Sequence, residues 1–321
     1  MRSALITGGA GFIGGHLVDQ LLRERWRVTV LDSFSPFYDP QVKRANIAGH
    51  LTDPNFNLIE GDIRDEDALN RVLQGTYDVI VHLAAKCGIQ PSLTDPLGYQ
   101  DVNVCGTQNL LELARKLQVR QFVFGSSSSV YGVNPNVPWS EEDHVLRPIS
   151  PYASTKISGE LLGHVYAHLY GIRFIALRFF TVYGPRQRPD LAIHKFALRM
   201  LAGEPISIYG DGRTRRDYTF VGDIVRGIRA SMDLESTPYE VINLGSGRPT
   251  GLMDMVRALE DALGRKAQME RLADRPGDVP QTYASIAKAA RLLGYQPGTE
   301  LRQGMETFAE WLSSTYSTSV R

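Results

Sequence analysis

Eight residues near the start of the chain, Thr7-Gly8-Gly9-Ala10-Gly11-Phe12-Ile13-Gly14, narrow its possible folds more than any other stretch. They follow the apolar Ser3-Ala4-Leu5-Ile6 and lead into Gly15-His16-Leu17-Val18-Asp19-Gln20-Leu21-Leu22. That order reads as strand, tight turn, helix. Gly8 permits the turn, Gly11 lets backbone N–H groups approach a pyrophosphate, and Gly14 lets the helix pack close to the strand. The helix N-terminus then offers unpaired N–H groups and the positive end of its dipole to that anion. Glycines alone also make ordinary loops. Here a second β-like run, Val28-Thr29-Val30-Leu31, ends at Asp32, near the distance a dinucleotide site requires.

Asp32 also bears on which dinucleotide is bound. An acidic side chain at the end of the second strand accepts hydrogen bonds from a ribose hydroxyl and repels a 2′-phosphate. Ser33 follows it, and no arginine adjoins to neutralise such a phosphate. NAD is therefore expected rather than NADP.

The rest of the first half alternates strand and helix. Strands are expected at Leu5-Ile6, Val28–Leu31, Asn57–Glu60, Asp78–His82, Gln121–Phe124 and Arg173–Leu177. Helices are expected over Gly14–Arg23, Glu66–Leu73, Tyr99–Leu117 and Tyr152–Tyr170. This alternation predicts an α/β fold, a doubly wound parallel sheet of Rossmann type covered on both faces. Past Gly184-Pro185 the rhythm loosens. Helical segments at Ile193–Leu201, Leu252–Leu263 and Leu301–Tyr316 are separated by turns bearing Gly and Pro. The expected division is an NAD-binding domain at 1–184 and a smaller C-terminal substrate-binding lobe at 185–321, with some chain exchanged between them.

The 321 residues suffice for a sizeable core, and Lys plus Arg equals Asp plus Glu at 35 each, so no polyanion surface and no nucleic-acid partner is expected. No apolar run is long enough to span a bilayer, and the first strand begins too early for a signal peptide. Cys87 and Cys105 make no disulfide framework, which fits a reducing cytoplasm. They also lack metal-ligand spacing, and no metal site is expected. His164 and His168 stand four apart on a helix, but Val165 occupies the place of a zinc-protease Glu. Trp26, Trp139 and Trp311 read as packing residues.

Tyr152 and Lys156 form a Tyr-x-x-x-Lys pair whose spacing puts both side chains on one helical face. A phenol is a poor base at neutral pH, and a nearby ammonium or a positive nicotinamide ring would favour the phenolate. A surface Tyr with a solvated Lys is the ordinary alternative. The glycine turn upstream, and Ser126-Ser127-Ser128-Ser129-Val130-Tyr131-Gly132 behind a strand, favour chemistry.

With these motifs the chain resembles the extended short-chain dehydrogenase/reductases that act on nucleotide sugars. The resemblance runs nearly end to end. It includes Gly61-Asp62-Ile63-Arg64, His82-Leu83-Ala84-Ala85, Asn103-Val104-Cys105-Gly106-Thr107, Arg178-Phe179-Phe180-Thr181-Val182-Tyr183-Gly184-Pro185, Arg216-Asp217-Tyr218 and Arg275-Pro276-Gly277-Asp278. It implies a cofactor site of Gly8, Gly11, Phe12, Ile13, Gly14 and Asp32, with Asp62 and Ile63 flanking the adenine. Leu83, Ala84 and Ala85 would line the cleft, Asn103 would lie near it, and Tyr152 and Lys156 would reach the nicotinamide ribose. Ser127 would hydrogen-bond the sugar hydroxyl beside Tyr152, and Arg216 and Arg275 would clamp the diphosphate. The plainer reading of those arginines is salt bridging to Asp217 and Asp278.

The resemblance also sorts the reaction. Related 4,6-dehydratases carry an Asp-Glu pair just after the Ser/Thr, and UDP-glucuronate decarboxylases carry Glu where this chain has Ser129. Ser128-Ser129 offers no such acid, which leaves 4-epimerisation through a 4-keto intermediate. Thr181 stands where UDP-glucose epimerases usually have Asn. Uronate 4-epimerases resemble both Arg178–Pro185 and Asp32–Asp39, the latter followed by Lys43-Arg44. Ser127, Ser128, Ser129 and Thr181 would donate to a sugar carboxylate. Gln90 departs from relatives that have Arg. UDP-glucuronate is the expected substrate and UDP-galacturonate its product. UDP-glucose/UDP-galactose 4-epimerisation is the alternative, and a catalytically silent NAD-binding sensor or scaffold a remote one. A homodimer joined near 99–117 and 152–170 is implied as well.

Overall fold

A computed structural model describes residues 1–72, 74–143 and 147–316. Leu73, the end of the expected third strand–helix unit, and residues 317–321 of the expected C-terminal lobe lie outside the described residues.

Six strands of the first half are β1 (Ser3–Thr7), β2 (Arg27–Asp32), β3 (Phe56–Glu60), β4 (Val79–His82), β5 (Gln121–Ser127) and β6 (Arg173–Phe179). Short β7 (Thr181–Tyr183), β8 (Ile206–Tyr209) and β9 (Arg215–Phe220) follow, and then β10 (Tyr239–Leu244). The central sheet has seven strands in the order β10-β6-β5-β4-β1-β2-β3, all parallel. Strand order reverses between β1 and β4, so a crevice opens at their carboxyl ends. The apolar strands are buried on both faces, as βαβ crossovers require.

The helices are α1 (Phe12–Arg23), α2 (Pro40–Ile47), α3 (Glu66–Val72), α4 (Ile89–Thr94), α5 (Pro96–Gln100), α6 (Gly106–Lys116), α7 (Pro151–Tyr170), α8 (Ala192–Ala202), α9 (Val221–Ser231), α10 (Leu252–Leu263), α11 (Ala287–Leu293) and α12 (Leu301–Tyr316). One face of the sheet carries α1, α9 and α11 through residues such as Leu17, Leu21, Ile224, Ile228 and Ala289. The other carries α3, α6 and α7 through Ala68, Leu110, Leu111, Tyr166 and Ala167. Burial of these stripes is the main favourable term holding the layers together.

Two features of this layout matter for the site. The single helix expected over Tyr99–Leu117 is α5, a π-helical turn at Asp101–Cys105, and then α6. The wide turn carries Asn103 inward, where it is 2% exposed. Secondly, the chain does not stay in the smaller lobe after residue 185. It comes back as α9, packed in the same core as α1, and β10, which pairs with β6 along its whole length. The remainder of the second half forms a β11 (Pro249–Gly251)-β9-β7 sheet and a parallel β8-β12 (Met269–Leu272) pair, with a separate core under α8, α10 and α12.

Local chemistry fixes where α7 starts and how near the sheet it runs. Ser150 Oγ accepts from Ala153 N at 3.2 Å, Pro151 fills the first turn, and Gly171 ends the helix at φ +67°. A Cβ on Gly159 would stand 2.4 Å from the Phe124 ring, so only glycine lets α7 lie this close to β5.

Candidate active site

A cleft of about 800 Å3 lies at the carboxyl ends of the central strands. Of the residues singled out from sequence, Gly8, Gly11, Phe12, Ile13, Gly14, Asp32, Asp62, Ile63, Leu83, Ala84, Ala85, Ser127, Tyr152, Lys156 and Thr181 line it. They come from strand ends, loops and the first turns of α1 and α7, spread along the chain from Gly8 to Thr181.

The glycine turn is built as its spacing requires. Gly8 has φ +69°, and a Cβ there would lie 2.7 Å from Ala84 N. A Cβ on Gly14 would lie 2.3 Å from Gly8 O, so turn and helix touch backbone to backbone. Gly11 caps α1 without any side-chain hydrogen bond, leaving first-turn N–H groups directed at the cleft. Asp32 is buried, accepts from Ala10 N at 3.0 Å through Oδ2 and from Phe34 N at 2.9 Å through Oδ1, and keeps a lone pair on each oxygen. Burial pushes its carboxyl above the usual range, against those two hydrogen bonds and the charge of Lys43. An anion-accepting helix end, an open glycine surface and a carboxylate with spare acceptors together fit a dinucleotide.

Beneath this turn runs a buried hydrogen-bond chain. Thr107 Oγ1 donates to Asn103 O at 2.6 Å, so it accepts from His82 Nε2 at 2.9 Å. His82 Nδ1 is then the acceptor for Thr7 Oγ1 at 2.7 Å, and Thr7 in turn accepts from Ala84 N at 3.3 Å. The network assigns His82 as the neutral Nε2–H tautomer. Burial, and then the charge of Lys156, push its pKa down to about 3.

The reactive end of the cleft holds Ser127, Tyr152 and Lys156. Lys156 is 4% exposed, donates to Gly125 O at 2.6 Å and lies 5.9 Å from the Tyr152 ring centre. Burial pushes this ammonium down. Burial likewise pushes the Tyr152 phenol well above its ordinary value, opposed by its hydrogen bond with Ser127 and the charge of Arg188. The Lys156 ammonium beside this ring is committed to a backbone carbonyl, and the positive nicotinamide ring of a bound NAD is the further charge that would favour the phenolate.

Other expected residues sit elsewhere. Asn103 is drawn behind the cleft: its Oδ1 accepts from Lys86 N at 2.8 Å, and its Nδ2 donates to Lys86 O and Thr155 Oγ1 at 2.9 and 3.0 Å. All of its amide is spent on tying β4's loop to α7. Ser128, Ser129 and Arg216 line a second, smaller cavity of about 150 Å3, which shares Thr181 with the main cleft. Arg275 is exposed and stacks 3.5 Å over the Tyr209 ring centre. Gln90 donates to Pro276 O at 2.6 Å, tying α4 to the same segment. Trp139 is a packing residue, stacked 5.1 Å from Tyr131.

Tyr38, Lys43, Cys87 and Arg188 are among the lining residues that the sequence does not mark as ligands. Lys43 Nζ donates to Ser35 O at 2.8 Å and faces Asp32. Arg188 is held by Asp190 at 2.9 and 2.6 Å and lies over Phe37. The basic pairs Lys43-Arg44 and Arg186-Gln187-Arg188 were the only available signals. Among the described residues no group of acidic, His or Cys side chains could hold a metal, and no helix is long and apolar enough to cross a membrane.

The model of the NAD dependent epimerase/dehydratase family matches residues 4–245. The chain belongs to that family. It is 38% identical over 331 residues to a probable UDP-glucuronate 4-epimerase of Rhizobium meliloti, covering 97% of each. The crystal structure of UDP-glucuronic acid 4-epimerase from Bacillus cereus, in complex with UDP-glucuronic acid and NAD, superposes with a TM-score of 0.92 at 38% identity, covering 98% of this chain and 100% of that one. UDP-glucose 4-epimerase from Thermotoga maritima, with UDP-glucose, gives 0.90 at 33% identity, covering 98% and 99%. The chain presents its glycine turn, Asp32 and the Tyr152–Lys156 pair to one cleft.

Proposed function

We propose that the protein is an NAD-dependent 4-epimerase that converts UDP-glucuronate reversibly to UDP-galacturonate. The observation that carries the sugar assignment is Thr181, shared between the cofactor cleft and the cavity of Ser128, Ser129 and Arg216. A sugar seated at that junction directs C4 toward Tyr152 and its C5 substituent toward three neutral hydroxyls. Those three donors are themselves neutral, and Arg216 beside them is assigned to the diphosphate, which suits an intermediate that must turn over. The relatives and the Bacillus cereus complex support the same substrate.

In this reading the turn at Gly8–Gly14 holds the cofactor diphosphate, Asp32 its adenosine ribose, and Lys156 its nicotinamide ribose. NAD bound there would supply the acceptor and donor for the hydride exchanged at sugar C4. Tyr152 takes the proton of the 4-hydroxyl and later gives it back, and Ser127 hydrogen-bonds the same oxygen. Arg216 and Arg275 bind the UDP diphosphate, Arg216 exchanging its 3.5 Å contact with Asp278 for phosphate. A 4-keto uronate is a β-keto acid prone to lose carbon dioxide. Contacts from Ser128, Ser129 and Thr181 that keep the carboxylate bond out of line with the ketone suppress that loss.

A homodimer in the cytoplasm completes the proposal. Leu161, Val165 and Leu169 recur every fourth residue along α7 and are 59%, 45% and 60% exposed, with Leu97 of α5 at 82%. Such an apolar stripe fits a second copy of this chain, and light scattering would report the mass. The substrate test is a panel of UDP-sugars separated by chromatography. UDP-glucuronate is expected to turn over fastest, and equal or better turnover of UDP-glucose would sink the uronate assignment.

A further inference from the structure

Glu160 lies behind the reactive residues and takes no part in the chemistry above. Its side chain is 6% exposed, and both oxygens are used. Oε1 accepts from Ser126 Oγ at 2.6 Å and from Arg178 Nε at 2.9 Å, and Oε2 accepts from Arg178 Nη2 at 2.8 Å. Ser126 and Arg178 are directly paired across β5 and β6, and the next pair is Ser127 with Phe179. One carboxylate on α7 therefore grips both strands, one residue before Ser127 on β5 and three before Thr181.

The same helix holds β5 at a second point. Lys156, one turn earlier on the same face, donates to Gly125 O, the residue before Ser126. A single attachment leaves a helix free to rotate or slide. Two attachments, four residues apart on α7 and adjacent on β5, fix both its rotation and its axial position. Tyr152 is one turn further toward the cleft, so its phenol is placed relative to Ser127 by this pair of contacts. We infer that Glu160, with Ser126 and Arg178, is a positioning residue: it sets the register of α7 against β5 and β6, and so the spacing of Tyr152, Ser127 and Thr181 for 4-epimerisation.

A buried ion pair is weak evidence for a purely stabilising role, because well-packed apolar residues often replace one at no loss. Arg178 does more than pack, since it also lies 4.8 Å over the Tyr131 ring in the cluster that includes Trp139 and Phe180. Reacting atoms a fraction of an ångström out of place cost rate rather than binding.

The inference rests on the proposed roles of Tyr152 and Ser127, and its test keeps the two separable. Ser126→Ala removes one grip and leaves the ion pair. The double variant Glu160→Gln, Arg178→Met removes the other without stranding a buried charge. Each is purified with its cofactor, NAD is quantified after denaturation, Tm is measured, and kcat and KM for UDP-glucuronate are set beside those of Tyr152→Phe. Both variants are expected to retain NAD and Tm and to keep KM within about twofold, while kcat falls about tenfold or more. A kcat within about twofold of the parent in both folded, NAD-loaded variants overturns the inference, as does a rate loss that merely follows lost NAD or Tm. If Tyr152→Phe itself turns over normally, the reading of the site fails first and this inference fails with it.

Discussion

Arg216 and Asp217 stand side by side in β9 yet face opposite ways, as strand alternation demands. Arg216 reaches Asp278 at 3.5 Å in the smaller cavity, whereas Asp217 is fully buried. Its Oδ1 accepts from Ser246 N, Ser246 Oγ and Thr219 Oγ1, and its Oδ2 accepts from Gly247 N and Ala284 N. The salt bridge read between sequence neighbours is replaced by a pairing across the lobe.

That carboxylate ties three segments together, so Asp217→Asn turns an amide donor against other donors. We expect a loss of more than about 2 kcal/mol of stability, read as a lower urea midpoint. An unchanged midpoint would mean that the five contacts are dispensable.

Asp32→Ala is expected to weaken NAD and narrow the preference over NADP, measured by titration of the stripped enzyme with each. The structure strengthens the argument, because Lys43 stays behind in the cleft facing the vacated position. The same change frees two loop N–H groups, so Tm falls too. An unaltered cofactor ratio would place ribose recognition elsewhere.

Tyr152→Phe keeps the ring that packs edge-on to Tyr99 and removes only the hydroxyl. Turnover is expected to fall by about 10²- to 10⁴-fold, with NAD and UDP-sugar still bound by calorimetry. Near-normal turnover would exclude Tyr152 from proton transfer.

His82 sets an acid limit on stability. The unfolded side chain takes a proton near 6.5, whereas the folded one resists until about 3. Between those values the unfolded chain binds more protons, so stability falls as pH falls. His82→Asn removes that titration, and the slope of Tm against pH below 6.5 is expected to flatten. Parallel slopes in the two proteins would show that carboxylates alone govern acid unfolding.

Much of the cofactor half was legible because its signals are local. A glycine turn between strand and helix, an acid at the end of β2 and a Tyr-Lys pair on one helical face each state their geometry within a few residues. Lys43 and Arg188 were not legible as lining residues, because they arrive on loops whose approach is set by tertiary packing. For Asn103 the motif marks only a neighbourhood, and the π turn shows that its amide faces the backbone of Lys86, a lining residue of the cleft. The small lobe is built from strands of three to six residues, too short for alternation to register.

The return of the chain as α9 and β10 also bears on how such a protein is divided and inherited. The seventh strand of the cofactor sheet is encoded beyond the segment that builds β7, β8 and β9, so neither half of the sequence contains a whole domain. A protein ending at residue 184 would lack β10 and expose the full edge of β6, together with the apolar surface of Val123, Ile175 and Leu177 that α9 covers. Substrate specificity in this chain cannot be exchanged by splicing at one point. It has to change by substitution within loops that already share a frame.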